Sequence, residues 1–538
     1  MLDRKLDHGL LDVAVVGAGF SGLYLIHRLT RMSFTVRAFD SAGDVGGTWY
    51  WNRYPGARCD VESMQYSYSF DDELQQDWNW SERFATQPEI LAYARHVAER
   101  FDLKRLVQFN TTVTRADFDE ASQSWTLTTD KGETIRARFC VMATGCLSAS
   151  RMPEIPGAET FEGEVYHTGA WPHDPVDFGG KTVGVIGTGS SAIQAIPELA
   201  KQAAHLTVFQ RTPNFSVPAR NASLTPDEIA RWKKDYPALR KRAREETRSG
   251  TIYEFAVKSA LEATPEEREA EYQRRWDKGG ANFMHAYNDL VVNEQSNETA
   301  ADFVRRKIKE IVKDPQTAEL LTPTDYPIFT KRICVDTDYY ATFNRPNVTL
   351  VDIRRDPIEA ITRDGLVTRS AARYAFDALV YATGFDAMTG ALLRVDIRGE
   401  GGASLRDKWR DGPRAYLGLM SAGFPNLFMV TGPGSPSVLS NVITSIEQHV
   451  EFITDCIDHM RNKGLARIDP DARAEELWVA HVGEAAAGTL LPQAASWYMG
   501  ANIPGKPRIM MPYVGGVDRY RRICNEVAAK NYEGFVFA

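Results

Sequence analysis

Cysteine is scarce in this chain and never paired. Six cysteines occur in 538 residues, at positions 59, 140, 146, 334, 456 and 524, and none forms a Cys-x-x-Cys pair. A zinc ribbon or thioredoxin-type redox motif is thereby excluded. The six read instead as small, inert core residues. No apolar run reaches the roughly 18 residues that a membrane span needs. Basic residues are not in excess: 63 Lys and Arg stand against 71 Asp and Glu, a net charge of −8. That balance leaves no electrostatic footprint for a nucleic acid. Low-complexity tracts and repeat arrays are also missing. The first ten residues are too polar and too short for a signal peptide, so a cytoplasmic protein is expected. What remains is an ordinary globular composition, 43% apolar and 25% charged, long enough for two or three buried cores.

Two glycine-rich loops stand out. Val13 to Val16 reads as a buried parallel strand, followed at once by Gly17, Gly19 and Gly22 and then by a helical pattern over Leu23 to Thr30. Strand, Gly-x-Gly-x-x-Gly and helix in that order form a dinucleotide-binding fingerprint. Gly17 serves the tight turn, Gly19 the close approach of backbone to a pyrophosphate, and Gly22 the packing of helix on sheet. The helix N-terminus offers free N–H groups to the diphosphate. A second strand, Thr35 to Phe39, ends in Asp40, whose carboxylate suits ribose hydroxyls and would repel a 2′-phosphate. This loop therefore fits FAD or NAD. The stretch from Asp44 to Asp60 is rich in glycine and aromatics, the surroundings expected of a flat ring system.

The second loop follows the strand Thr182 to Ile186 and reads Gly187-Thr188-Gly189-Ser190-Ser191-Ala192, the Gly-x-Gly-x-x-Ala variant. Its ribose strand, Leu206 to Phe209, ends in Gln210-Arg211-Thr212, with no acidic residue. A guanidinium there offers a bidentate fork to phosphate, so NADPH is expected rather than NADH.

The predicted fold class is α/β, with two Rossmann-like dinucleotide-binding domains and a helical insertion. Residues 1–146 form the first part of the FAD domain, 147–217 the linker and first part of the NADP domain, 218–328 the insertion, 329–384 the second part of the NADP domain, and 385–538 the second part of the FAD domain. Pro226 and Thr264-Pro265 look like helix starts within the insertion, whose many charges read as solvated faces. Two strands end in Ala-Thr-Gly, at Ala143-Thr144-Gly145 and Ala382-Thr383-Gly384, which suits chain crossings between two nucleotide-binding domains. Ser496 to Asn502 forms a glycine-containing loop that suits a lid.

Between the two loops stand Phe161, Gly163, His167, Trp171 and Pro172, spaced Phe-x-Gly-x-x-x-His-x-x-x-Trp-Pro. With this motif the chain resembles the Baeyer–Villiger monooxygenases, class B flavoprotein enzymes, along nearly its whole length. Trp49 to Asp60, Gln210 to Asn214, Lys331-Arg332, Gly432 to Ser437 and Ser496 to Asn502 look most like the phenylacetone and steroid members, and less like cyclohexanone monooxygenase. The chain departs from the pattern at Asp40, where relatives usually carry Glu, and at Ile333-Cys334-Val335 beside the expected pocket.

The resemblance implies two cofactors, FAD and NADPH, and two small-molecule substrates, a ketone and dioxygen. NADPH reduces FAD, a C4a-peroxyflavin forms with dioxygen, and a Criegee adduct rearranges to an ester or lactone. Sulfoxidation is a possible side activity. Arg332 is the implied cation that preserves the peroxide anion, and Asp60 the carboxylate that positions it. FAD contacts fall on Gly17, Gly19, Phe20, Ser21, Gly22, Asp40, Gly47, Thr48, Trp49, Trp51, Asp60, Tyr66, Val113 and Val442. NADP contacts fall on Arg58, Gly187, Thr188, Gly189, Ser190, Ser191, Gln194, Arg211, Thr212, Lys331, Arg332 and Trp497. The His167 motif is given a conformational role, and no metal, nucleic acid or membrane is expected. The expected state is a monomer. Three other readings share parts of this pattern: a flavin-containing N- or S-monooxygenase, a pyridine-nucleotide disulfide reductase, and a flavin-bound redox sensor.

Overall fold

In a computed structural model, residues 9–538 are described; all but the last two of the ten N-terminal residues discussed above lie outside them. Two sheets built around parallel strands organise the molecule. In the first, the order is Asp396–Arg398, Val113–Asp119, Ser124–Thr129, Thr134–Met142, Leu11–Val16, Val36–Phe39 and Val107–Gln108, and Leu427–Met429 also pairs with Thr134–Met142. Leu11–Val16 lies parallel to both its neighbours. Its Val13, Ala14 and Val15 are fully buried, Val13 and Val15 in one core cluster and Ala14 and Val16 in another, so both faces of the strand are covered. The second sheet runs Val348–Asp352, His205–Gln210, Thr182–Ile186, Ala378–Tyr381 and Glu164–His167, all parallel.

The Ala-Thr-Gly strand ends do the same job in each sheet. Ala143 N–H donates to Val16 O and Gly17 N–H to Phe39 O; Ala382 N–H donates to Ile186 O and Gly187 N–H to Phe209 O. Gly17 sits at φ +109° and Gly187 at φ +114°, and a Cβ on either would lie 2.5 Å from the carbonyl oxygen of Ala143 or Ala382. The two glycine loops are thus pinned by equivalent strand ends, and both loops require glycine for the same steric reason.

The insertion is helical: Pro226–Glu245, Pro265–Lys278, Glu294–Ile311 and Pro315–Leu321. Two of its helices start with full capping boxes, Thr225 with Glu228 and Thr264 with Glu267. Its charges are not all solvated, contrary to the expectation from composition. The Arg275 side chain is only 3% exposed and is held by Glu271, Asn282 and the Glu254 carbonyl. Arg240 donates to Gln65 O and Ser67 Oγ, outside the insertion. Tyr236 joins the core around the first sheet, while Trp276 and Phe303 join the core around the second, so the insertion packs against both. All six cysteines are buried and free, as expected. No helix among the described residues is long and apolar enough to cross a membrane.

Candidate active site

Both glycine loops open into one continuous cavity of about 1790 Å³. Every residue expected to touch a cofactor lines it except Gly22. Gly22 lies behind the first loop, where a Cβ would collide with Gly17 O, so its part is helix packing and not contact. At the first loop, Gly19 and Gly47 face each other so closely that a Cβ on Gly47 would lie 2.9 Å from the Gly19 Cα. Asp40 stands at the cavity wall and accepts from Ala18 N (2.6 Å) and Ala42 N (2.8 Å). Burial pushes its pKa up and these two N–H groups oppose that. Each carboxylate oxygen retains a lone pair for a ribose hydroxyl. At the second loop, a Cβ on Gly189 would meet nothing within 4 Å, so the helix N-terminus at Ser190 has open space before it. These features fit FAD at the first loop and a pyridine dinucleotide at the second. Among the described residues no cluster of His, Cys, Asp or Glu is arranged to hold a metal ion.

Where the two halves of the cavity meet, Arg332 and Asp60 form a bidentate pair. Arg332 Nε donates to Asp60 Oδ2 at 2.6 Å and Nη2 to Oδ1 at 2.7 Å, while Nη1 donates to Val438 O at 2.7 Å. The side chains are 30% and 23% exposed, and both line the cavity. A guanidinium carries five N–H donors. Three are engaged, which leaves one on each Nη. Burial alone would raise the Asp60 pKa, but the Arg332 charge and hydrogen bonds outweigh it and hold it below the usual carboxylate range. Burial works against the Arg332 charge as well, and Asp60 more than offsets it. The cation is therefore permanent, fixed in direction and partly unsatisfied.

The basic residues expected at the ribose end also come together. Arg211, Thr212 and Lys331 line the same part of the cavity as Asn214 and Tyr326. Lys331 Nζ lies 4.0 Å from the centre of the Tyr326 ring. Burial, then the neighbouring Arg211 charge, lowers the Lys331 pKa to about 8.

The Phe161 to Pro172 motif lies away from the cavity, although Gly169 and Ala170 reach its wall. Its strand, Glu164–His167, edges the second sheet. Gly163 is needed because a Cβ there would lie 2.6 Å from Asp377 O. Trp171 is buried and stacks on Tyr166, ring centres 5.2 Å apart. His167 Nδ1 accepts from Gly169 N at 2.9 Å, so the ring proton sits on Nε2 and faces Arg151 O (3.1 Å) and Thr383 Oγ1 (3.3 Å). Burial lowers its pKa, which keeps the ring neutral. It is a tie between the two chain crossings, with no reacting partner.

Several cavity features carried no signal in the sequence. Tyr498, on the turn Trp497–Met499, stands beside the Arg332 guanidinium; burial lifts its phenol to about 12 while the Arg332 charge pulls the other way. Cys59, Cys146 and Cys334 line the cavity although they read as plain core residues. Cys146 Sγ is 2.9 Å from Ser437 Oγ and 3.3 Å from Thr431 Oγ1. Val438 lines the cavity while its neighbour Leu439 does not, and of the Ile333-Cys334-Val335 stretch placed beside the expected pocket only Cys334 reaches the wall.

A family model described as flavin-binding monooxygenase-like matches residues 11–223. The chain is 43% identical to a phenazine N-monooxygenase of Lysobacter antibioticus over 539 aligned positions, covering 100% of this chain and 98% of that one. It is 42% identical to a Baeyer–Villiger monooxygenase of Pseudooceanicola batsensis, with 98% and 96% covered. Among solved structures, an oxidised steroid monooxygenase bound to NADP superposes with a TM-score of 0.94 at 50% identity, covering 98% of this chain and 99% of that one.

Proposed function

Because this chain belongs to the Baeyer–Villiger monooxygenases, flavin-dependent enzymes of the α/β two-loop design, we propose that it uses NADPH and dioxygen to insert one oxygen atom beside a ketone carbonyl. The balance is ketone, O2, NADPH and a proton to ester or lactone, water and NADP+. Bound FAD would supply the redox chemistry, taking a hydride from NADPH and passing electrons to dioxygen. The protein's own work is to hold both dinucleotides, exclude water and fix positive charge where negative charge develops. The observation that carries this reading is the Arg332–Asp60 pair at the junction of the two loops, with two guanidinium N–H groups left over. Arg332 stabilises an oxyanion there, and Asp60 aims it. Gly17, Gly19, Phe20, Ser21, Asp40, Gly47, Thr48, Trp49, Trp51, Asp60, Tyr66, Val113 and Val442 hold FAD, with Gly22 packing the helix behind the loop. Arg58, the Gly187 to Gln194 loop, Arg211, Thr212, Lys331 and Trp497 hold NADPH.

The domain limits read from the sequence are part of this proposal, with the FAD domain in two pieces flanking the NADP domain and the insertion. So is a monomeric state: one chain carries both loops and Arg332, and the reaction asks for no second copy. A cytoplasmic location also fits six unpaired buried cysteines, which a reducing compartment preserves.

Heteroatom oxygenation is the second reading, favoured by the likeness to a phenazine N-monooxygenase. One experiment separates the two. The holoenzyme is incubated with NADPH, labelled dioxygen and a panel of linear, aromatic, cyclic and steroidal ketones beside a thioether and a phenazine, and products are weighed by mass spectrometry. One labelled oxygen in an ester or lactone is the expected result. Labelled N-oxide or sulfoxide with no labelled ester from any ketone would transfer the enzyme to the second reading.

A further inference from the structure

The two cations that face the coenzyme ribose come from distant parts of the chain, and one side chain touches the neighbourhood of both. Tyr326 is 7% exposed. Its hydroxyl donates to Pro213 O at 3.0 Å, with Asn214 Oδ1 3.3 Å away as a second acceptor, and it accepts the Phe215 N–H at 3.4 Å. That strip, 213–215, follows directly on Arg211 and Thr212. It is tied in turn to the second glycine loop: Asn214 Nδ2 donates to Thr188 O (2.6 Å), and Thr188 Oγ1 to Thr212 O (2.9 Å). The other end of Tyr326 is its ring, whose face carries the Lys331 ammonium at 4.0 Å. Phe215 packs edge-on against the same ring, centres 5.6 Å apart. Asp325, the adjacent carboxylate and the natural competitor for Lys331, is paired with Arg354. The ammonium is left with a π-face as its support and with no carboxylate partner among the described residues. Its lowered pKa is the mark of a half-buried cation beside a second one.

We propose that Tyr326 is a positioning residue for coenzyme choice: its ring face seats Lys331 and its hydroxyl anchors the strip behind Arg211, so that both cations converge where a 2′-phosphate arrives. The proposal rests on the reading of the second loop as an NADPH site. Tyr326 does not touch the reacting atoms; it acts through Lys331 and Arg211. A cation held on an aromatic face in a partly desolvated site is favoured about two- to thirtyfold, which sets the scale of the effect.

The test titrates the FAD-loaded enzyme with NADP+ and with NAD+ by isothermal calorimetry and reads the ratio of the two Kd values. Tyr326→Leu removes ring and hydroxyl and is expected to lower the preference for NADP+ at least about fivefold, with the Kd for NAD+ changed less than about twofold. Tyr326→Phe keeps the ring and the packing and is expected to lose about twofold. Placed on Lys331→Met, Tyr326→Leu should lose markedly less than it does alone. An unchanged ratio in Tyr326→Leu, or equal losses for both coenzymes, overturns the proposal. If Tyr326→Leu fails to retain FAD, Tyr326→Phe and its coupling to Lys331→Met decide: an unchanged ratio in Tyr326→Phe, or full additivity with Lys331→Met, rejects the role. Arg211→Ala is the control for the underlying reading. If it leaves the ratio unchanged, the 2′-phosphate reading itself has failed; if it lowers the ratio while the Tyr326 variants do not, only the role of Tyr326 has.

Discussion

The role proposed for Arg332 depends on what it does not bond. Asp60 takes two of its N–H groups in a side-on fork and Val438 O a third, so the guanidinium cannot swing, yet one N–H on each Nη remains for an incoming oxyanion. Losing one preorganised donor of this kind costs about 3 kcal/mol. Arg332→Ala is accordingly expected to keep NADPH-dependent bleaching of the flavin while ester formation falls at least about 100-fold and hydrogen peroxide rises; product yield and peroxide assayed together check this. Asp60 should not shape the activity profile near neutrality. Its pKa is held below the usual carboxylate range, so its contribution is fully present above the unfolded value of about 3.9 and is lost only as pH falls through the lower folded value. Lys331 behaves oppositely. Its pKa is lowered to about 8, so its charge, and with it the pull on a 2′-phosphate, is present below that pH and fades above it. The Kd for NADP+ should therefore rise between about pH 7.5 and 9 while that for NAD+ stays flat, and Lys331→Met should remove the dependence. A flat NADP+ profile in the unaltered enzyme would count against Lys331 as a phosphate ligand.

The two glycine loops are copies of one device, and their failures should be separable. Each begins at a positive-φ glycine pressed against the carbonyl of an Ala-Thr-Gly strand end. An alanine at such a position combines backbone strain of about 1–3 kcal/mol with a steric clash. Gly17→Ala should yield protein with less than about half the normal FAD content. Gly187→Ala should keep FAD but raise the Kd for NADP+ at least about tenfold. Absorbance ratios and calorimetry distinguish the two outcomes, and an equal loss of both cofactors in both variants would deny the loops separate duties. The strand, turn and helix of each loop were legible in the sequence because the Gly spacing and the β-branched runs are local signals. The duty of Ala143 and Ala382 as steric partners of those glycines was not, since they lie 126 and 195 residues further along the chain (143 − 17 and 382 − 187).

Across the molecule, a line of hydrogen bonds runs from the Phe161 to Pro172 motif to the loop read as a lid. His167 Nε2 faces Arg151 O, Arg151 Nη1 donates to Asn502 O at 2.8 Å, and Asn502 Nδ2 donates to Phe385 O at 2.8 Å. Lys506 closes the same loop on the second chain crossing through Asp386 (2.5 Å) and Ala387 O (2.9 Å). Trp497 is thereby held over the cavity by both crossings. Arg151 is at the cavity wall, but its guanidinium is engaged by Asn502 O, so Arg151→Met cuts the line while leaving both glycine loops untouched. We expect it to retain FAD and NADP+ affinity but to raise the share of NADPH lost as peroxide at least about threefold, read from peroxide per NADPH consumed. Coupling equal to the unaltered enzyme would mean that the lid does not depend on this link.

Local pattern was enough to decide much about this protein: two dinucleotide loops, the capped helices of the insertion, and the spaced motif between the loops. Each is a matter of backbone geometry or charge within a few residues. The resemblance already pointed to Asp60 as the partner of Arg332, 272 positions away; only the folded chain decided that the pair is bidentate. The same is true of the Tyr326 ring under Lys331, of Tyr498 beside the guanidinium, and of half-buried Arg240 and buried Arg275 as anchors where composition suggested solvated charge. The reason is physical. A side chain's partners across a cavity are set by how two sheets and an insertion pack, and packing brings together residues whose own neighbourhoods carry no record of each other.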